Sequence, residues 1–185
     1  MRKLVVSEFI TLDGIIESPE QWQFPFLSED VSQAIRDEVH FGEASLLGRE
    51  TYQIFAAAWP QMTHNEFGVA DKLNSEPKYV VSSSLEKLEW NNSTLIKGNV
   101  EEEIRSLKRQ PGGIIRIVGS AALVQSLLRT DLIDEYRLMV HPVVVGYGKR
   151  LFNDGVQIKD LKLIETKTFS SGVVLLRYQP NMSEN

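Results

Sequence analysis

Short β-branched runs alternate along the chain with stretches whose apolar positions recur every three or four residues, the pattern of strands followed by helices. Lys3 to Ile10 is the first run; it stops at Leu12-Asp13-Gly14 and reads as a central strand. A long loop carries Trp22, Phe24, Pro25 and Phe26. Ser28 is then placed to cap a helix, with Glu29 and Asp30 in its first turn and Val31, Ala34, Ile35 and Val39 at helical spacing up to about Phe41. Ala44 to Leu47 forms a strand that stops at Gly48, and Arg49 to Ala57 has helical composition, ended by Trp59-Pro60. A polar segment from Thr63 to Asn74 leads to a strand at Lys78 to Val81, which runs into Ser82-Ser83-Ser84.

The second half begins with a strand at Thr94 to Ile96 and a charged helix from Val100 to Arg109, with Ile104 and Leu107 as its apolar stripe and Pro111-Gly112-Gly113 as its stop. Ile114 to Val118 is a further strand, Gly119-Ser120 a tight junction, and Ala121 to Leu128 a mostly apolar helix. From Ile133 the rhythm changes: Glu135 to Val145, Leu161 to Phe169 and Val173 to Tyr178 read as long strands joined by glycine-containing turns. The expected architecture is a three-layer α/β/α fold with a mixed, mainly parallel sheet that ends in antiparallel strands. One domain over residues 1–180 accounts for the pattern, with 181–185 as a loose tail.

Composition removes several classes of function. Hydrophobic residues make up 42% of the 185 residues and charged ones 24%, ordinary globular usage. A formal net charge of −5 gives no general attraction to nucleic acid or anionic lipid, although a small phosphate ligand needs only a local patch. With no cysteine, disulfides, thiolate nucleophiles and cysteine-bound metals drop out. His40, His64 and His141 show no metal-ligand spacing, so no metal is expected, and the serines lack the GxSxG elbow of a hydrolase. Glu8 and Asp13 interrupt the apolar run after Met1-Arg2-Lys3, against a signal peptide, and no run approaches the ~20 residues of a membrane span. The chain is read as cytoplasmic, acting on a small molecule, with its late strands offering a homodimer surface.

Three strand-to-helix or strand-to-turn junctions carry the chemistry: Leu47-Gly48-Arg49-Glu50-Thr51-Tyr52, Val80-Val81-Ser82-Ser83-Ser84 and Val118-Gly119-Ser120-Ala121-Ala122-Leu123. In an open α/β sheet such junctions share the carboxyl edge, where helix N-termini expose amides to phosphate. Glycine at 48 and 119 lets backbone approach a pyrophosphate, or simply makes tight turns; Arg49, Thr51 and the serines donate to phosphate or ribose oxygens, or simply cap. No GxGxxG and no Walker lysine are present. Trp22, Phe24 and Phe26 either wall a slot for a flat heterocycle or anchor their loop. Asp13 either bonds a substrate or closes a turn, and Tyr147, between Gly146 and Gly148, either meets a ligand or sits on a bulge.

The order of these motifs resembles the dihydrofolate reductase-like superfamily, and most closely the reductase domain of bifunctional riboflavin-biosynthesis deaminase/reductase proteins, here as a standalone chain. The resemblance spans Lys3 to Tyr178 and rests on Thr11-Leu12-Asp13-Gly14, Gly48-Arg49-x-Thr51-Tyr52, Val118 to Leu123, and His141-Pro142-Val143-Val144-Val145-Gly146-Tyr147-Gly148 with Leu151-Phe152. It implies NADPH, with Gly48, Arg49 and Thr51 around its phosphates, Ser82, Ser83 and Ser84 near the adenosine ribose and its 2′-phosphate, and Gly119, Ser120, Ala121, Ala122 and Leu123 at the pyrophosphate. Ile15 or Ile16 would pack on nicotinamide unless they are plain core. That family usually has two consecutive glycines where this chain has Gly119-Ser120, so the serine fits only if its own φ need not be positive.

Folate reductases carry one buried carboxylate on the helix after the first loop, and Asp30 is the nearest match, with Glu29 and Asp37 behind it. Two carboxylates in a first turn are also what the helix dipole alone selects, and the lack of a clear acid argues against folate itself. The implied activity is hydride transfer to a small heterocycle, imine or carbonyl held against Trp22 and Phe26, resembling 5-amino-6-(5-phosphoribosylamino)uracil or a pterin. The alternative is an NADPH-binding or ligand-sensing protein that kept the fold and lost turnover.

Overall fold

The computed structural model describes residues 1–62, 65, 68–155 and 159–181. Residues 63, 64, 66, 67, 156–158 and 182–185 lie outside the described residues, so the readings made on His64 and on the tail stop there. An eight-stranded sheet runs in the order β4-β3-β2-β5-β1-β6-β8-β7. Its first six strands are parallel: β1 (Leu4–Thr11), β2 (Ala44–Gly48), β3 (Lys78–Val81), β4 (Ser93–Ile96), β5 (Ile115–Ile117) and β6 (Glu135–His141). β8 (Val174–Pro180) pairs antiparallel with both β6 and β7 (Leu161–Thr168), which places the change of direction at the end the sequence indicated.

β1 sits between β5 and β6 and is covered on both faces, which is why it reads as an almost unbroken apolar run. Its even positions Leu4, Val6 and Ile10 pack into a cluster with Ile104 and Leu107 of α4 (Val100–Arg109) and Leu123 and Val124 of α5 (Ala121–Leu127). Its odd position Phe9 packs on the other face with Val31 of α1 (Glu29–Phe41), Met139 and Phe169. A third cluster joins Leu47 and Val80 to Tyr52 of α2 (Arg49–Ala58) and Leu73 of α3 (Val69–Ser75). Helices therefore cover both faces, and each fully buried Leu, Ile or Val contributes roughly 1.5–3 kcal/mol.

Apart from shifts of one or two residues at element ends, three features depart from the sequence reading. β6 ends at His141 instead of continuing to Val145, because Pro142 has no N–H for the ladder and the amides of Val145 and Gly146 bond the Asp13 carboxylate. The polar segment expected up to Asn74 contains α3, whose buried Ala70 and Leu73 supply too short an apolar stripe to stand out. Ser28 does occupy the N-cap position of α1, but its side chain donates to Asp30 and caps no backbone amide.

The connection from β1 leads to β2 on one side and that from β5 leads to β6 on the other, so the crevice of the sheet opens between β1 and β5. Gly48 closes β2, Ser82 follows β3 and Gly119 lies two residues past β5, so the three reach one edge together. Among the described residues no helix is long and apolar enough to cross a membrane.

Candidate functional site

The carboxyl edge of the sheet holds a cleft of about 1060 Å³. All three junctions line it: Gly48, Arg49 and Thr51; Ser82, Ser83 and Ser84; and Gly119, Ser120, Ala121, Ala122 and Leu123. The opposite lip, which the sequence did not reveal, is Gly148-Lys149-Arg150. Backbone pairing brings it there: the Ile16 amide donates to the Lys149 carbonyl at 2.9 Å, and the Leu151 amide to the Gly14 carbonyl at 3.0 Å. The charged lining is Arg49, Lys149 and Arg150 against Glu50, a net positive surface on a chain of net charge −5.

Two of the junctions are knotted into each other. The Gly48 amide donates to Ser120 Oγ (3.0 Å), Thr51 Oγ1 donates to the Gly119 carbonyl (2.9 Å), and Ser120 Oγ lies 3.1 Å from both Thr51 Oγ1 and the Val118 carbonyl. The hydroxyls of Thr51 and Ser120, read as donors to phosphate, hold the loop, and the donors left to the cleft are the side chains around it. Arg49 is exposed and its Nη1 donates to Ser84 Oγ (3.3 Å); Ser82 is buried and accepts from the amides of Ser84 and Leu85. Gly119 carries the positive φ of +65°, and a Cβ there would lie 3.1 Å from Thr51 Cγ2, whereas Ser120 has an ordinary φ of −104°. The serine thus fits at the second position and adds bonds that glycine cannot make.

Behind this turn stands a residue the sequence reading passed over as a break in an apolar run. Glu8, on β1, is 5% exposed; its Oε2 accepts the Gly119 amide at 2.9 Å and its buried Oε1 has no partner. Burial pushes its carboxyl up to about 8, only partly offset by the amides of Gly119 and Ser120. Ile16, expected against nicotinamide, is 4% exposed within the core cluster, and Ile15 is equally buried, bridged to Arg150.

The residues assigned to substrate lie elsewhere. Trp22 is buried, donates to the Glu17 carbonyl (3.0 Å), and packs edge-on to His141 at 5.1 Å; Phe26 and Phe9 meet the same ring at 6.0 and 5.8 Å. These aromatics occupy the α1 face of β1, while Phe24 is 62% exposed. His141 is fully buried, with Nδ1 on the Met139 carbonyl (2.9 Å) and Nε2 without a partner; burial first, against the Met139 and Ile10 carbonyls, holds its pKa below the usual histidine value.

Asp30 does not have the environment of a proton donor. Its carboxylate accepts from the Ser28 hydroxyl, from the Ser170 amide and hydroxyl (2.8 and 2.9 Å) and from the Val31 amide (3.0 Å). These donors, Ser28 foremost, hold its pKa far below the usual carboxylate range, so it ties α1 to the β7–β8 turn as an anion. Asp13 is likewise engaged: Thr11 Oγ1 and the amides of Val145 and Gly146 hold it down to about 2 and stitch the first turn to the loop after β6. Tyr147 is 71% exposed on that loop and is not part of the cleft lining, although Gly148 is. Among the described residues no group of acidic and histidine side chains is arranged to hold a metal.

Comparison with known proteins agrees with this architecture. Residues 2–175 match the model of the RibD C-terminal domain. The uncharacterized protein YyaP of Bacillus subtilis (strain 168) is 34% identical over 185 residues, 97% of this chain and 96% of that protein. A protein of Shewanella sp. PV-4 named for riboflavin biosynthesis superposes with a TM-score of 0.76 at 17% identity, covering 97% of this chain and 99% of that one. Dihydrofolate reductase from Enterococcus faecalis, complexed with NADP(H), superposes at 0.64 and 12% identity, covering 97% and 96%. The chain belongs to the RibD C-terminal domain family, on a dihydrofolate reductase-like fold.

Proposed function

We infer that this protein is an NADPH-dependent reductase that delivers hydride to a small heterocycle or imine of the aminopyrimidine or pterin kind. The observation that carries the reading is the cleft itself: three junctions and three cations converge on the crevice between β1 and β5, on an acidic chain. A dinucleotide fits that donor set. Arg49 with Ser83 and Ser84 suits the adenosine end and a 2′-phosphate, while Lys149 and Arg150 face the pyrophosphate turn from the opposite lip. When bound, NADPH supplies the hydride, and the chain orients it.

The acceptor belongs on the α1 side of β1, against Phe26 and the edge-on Trp22–His141 pair. Asp30 is an anion committed to four donors, so water is the proton source in this scheme. That same commitment favours the second reading, a nucleotide-binding sensor without turnover. Fluorescence titration with NADPH and NADH tests the site: NADPH is expected to bind the tighter, and no binding of either below millimolar concentration refutes it. Following NADPH oxidation with folate, pterin and aminopyrimidine acceptors then separates reductase from sensor.

A further inference from the structure

Glu8 has no role in the scheme above, yet no other carboxyl in the described structure is buried so close to the cleft with an oxygen left bare. On β1 it stands two residues past Val6, the last position paired with β5, where the two strands part. It shares the face of Leu4, Val6 and Ile10, opposite to Phe9, so it does not look toward the aromatic group assigned to the acceptor. Its one strong bond is from the Gly119 amide, and Gly119 lies exposed in the lining of the cleft. A single peptide turn therefore has Glu8 behind it and the ligand space in front.

That turn cannot swing away to relieve a charge. Its positive φ, the Thr51 bond to the Gly119 carbonyl and the Gly48 bond to Ser120 hold it in place. Among the described residues, the groups around Glu8 offer no counter-ion: the apolar cluster on its face includes Leu138 across from it on β6 and Ala121, Leu123 and Val124 from α5, while α2 presents Thr51. Arg49, Glu50, Lys149 and Arg150 line the cleft on its solvent side, and Lys149 is already paired to Glu50. An ionised Glu8 would thus be an uncompensated buried anion directly behind a site for phosphates.

We propose that Glu8 is a positioning residue whose neutral carboxyl carries the Gly119 turn, so that binding of an anionic nucleotide is coupled to Glu8 holding a proton. The proposal rests on the reading of the cleft as a nucleotide site. Since burial already lifts this carboxyl to about 8, phosphates in front of the turn lift it further, and nucleotide binding takes up a proton at mildly alkaline pH. Lys78 is also displaced to about 8, but at the start of β3, on the far edge of the sheet, with its ammonium on the carbonyls of Leu73, Asn74 and Glu76.

Calorimetric titration of NADPH and of inorganic pyrophosphate into the full chain, between about pH 6.5 and 9.5 in two buffers of different ionisation enthalpy, tests the coupling. For the wild type, affinity should fall up to about tenfold for each pH unit above 8, with up to one proton taken up per nucleotide. Glu8→Gln keeps a carbonyl for the Gly119 amide and cannot ionise; it should bind at neutral pH within about threefold of wild type, with a flat profile and no uptake. If that variant does not fold, the Gly119 amide resonance of the wild type serves instead, with an inflection near 8 that moves up on saturation. Tight binding by the wild type with no proton uptake overturns the role of Glu8 and leaves the cleft reading intact. No binding of either ligand at any pH overturns the cleft reading, and the coupling with it.

Discussion

Glu8 also makes a prediction about folding that needs no ligand. In the unfolded chain its carboxyl returns to about 4.5, against about 8 in the folded protein. Below pH 4.5 both states hold the proton and stability is complete. Between 4.5 and 8 the unfolded chain loses its proton while the folded chain keeps it, so stability falls as pH rises; above 8 the loss is constant. At about 1.4 kcal/mol per pH unit that interval amounts to roughly 5 kcal/mol, a large part of a typical domain's stability. Glu8→Gln removes this dependence and adds a fixed cost of about 1–3 kcal/mol for a buried amide without a full set of partners. Urea unfolding of both proteins at several pH values from about 5 to 8 measures it. The variant's stability minus the wild type's should climb by several kcal/mol across that range; His141 and the other titrating groups are common to both and cancel. Parallel profiles would show that Glu8 ionises normally and would refute the reasoning.

Other outcomes follow from the same geometry. Gly119→Ala forces a side chain into φ +65° and 3.1 Å from Thr51 Cγ2, so it should cost about 1–2 kcal/mol in chemical denaturation and weaken NADPH binding. Arg49→Ala should weaken NADPH about tenfold and NADH less, in a paired titration, because it removes the cation beside Ser84. Asp30→Asn should lower the thermal midpoint at neutral pH but not in strong acid, since a carboxylate whose folded pKa is depressed stabilises only while ionised. Its effect on turnover should stay under about tenfold; a loss of 10² or more would restore it as a general acid.

Much of the fold was legible because its signals are local. β1, β2, β3 and β5 are short, largely apolar runs that reach a glycine or serine at their end or within three residues of it, and α4 announces itself through Glu101 to Glu103 at one end and Lys108-Arg109 at the other. The reach of β6 was misjudged because Val145, read as strand, is bonded instead by the Asp13 carboxylate, 132 residues away in sequence, beyond the local break at Pro142. α3 was missed because seven residues with two buried positions give no readable period.

The three junctions of the cleft could be found in the chain because each needs a small or hydroxyl residue at a strand end, a requirement that composition records. What those residues do was decided by tertiary structure. Thr51 and Ser120 have the same hydroxyls whether they meet phosphate or each other, and only the packing of α2 against the Gly119 turn turns them inward. Asp30 and Glu8 look alike as carboxylates in sequence, yet one is surrounded by donors and the other by hydrocarbon. Burial and hydrogen bonding act through neighbours that are far apart in the chain, so the proton affinity of each group, and with it its chemistry, exists only once the sheet has formed.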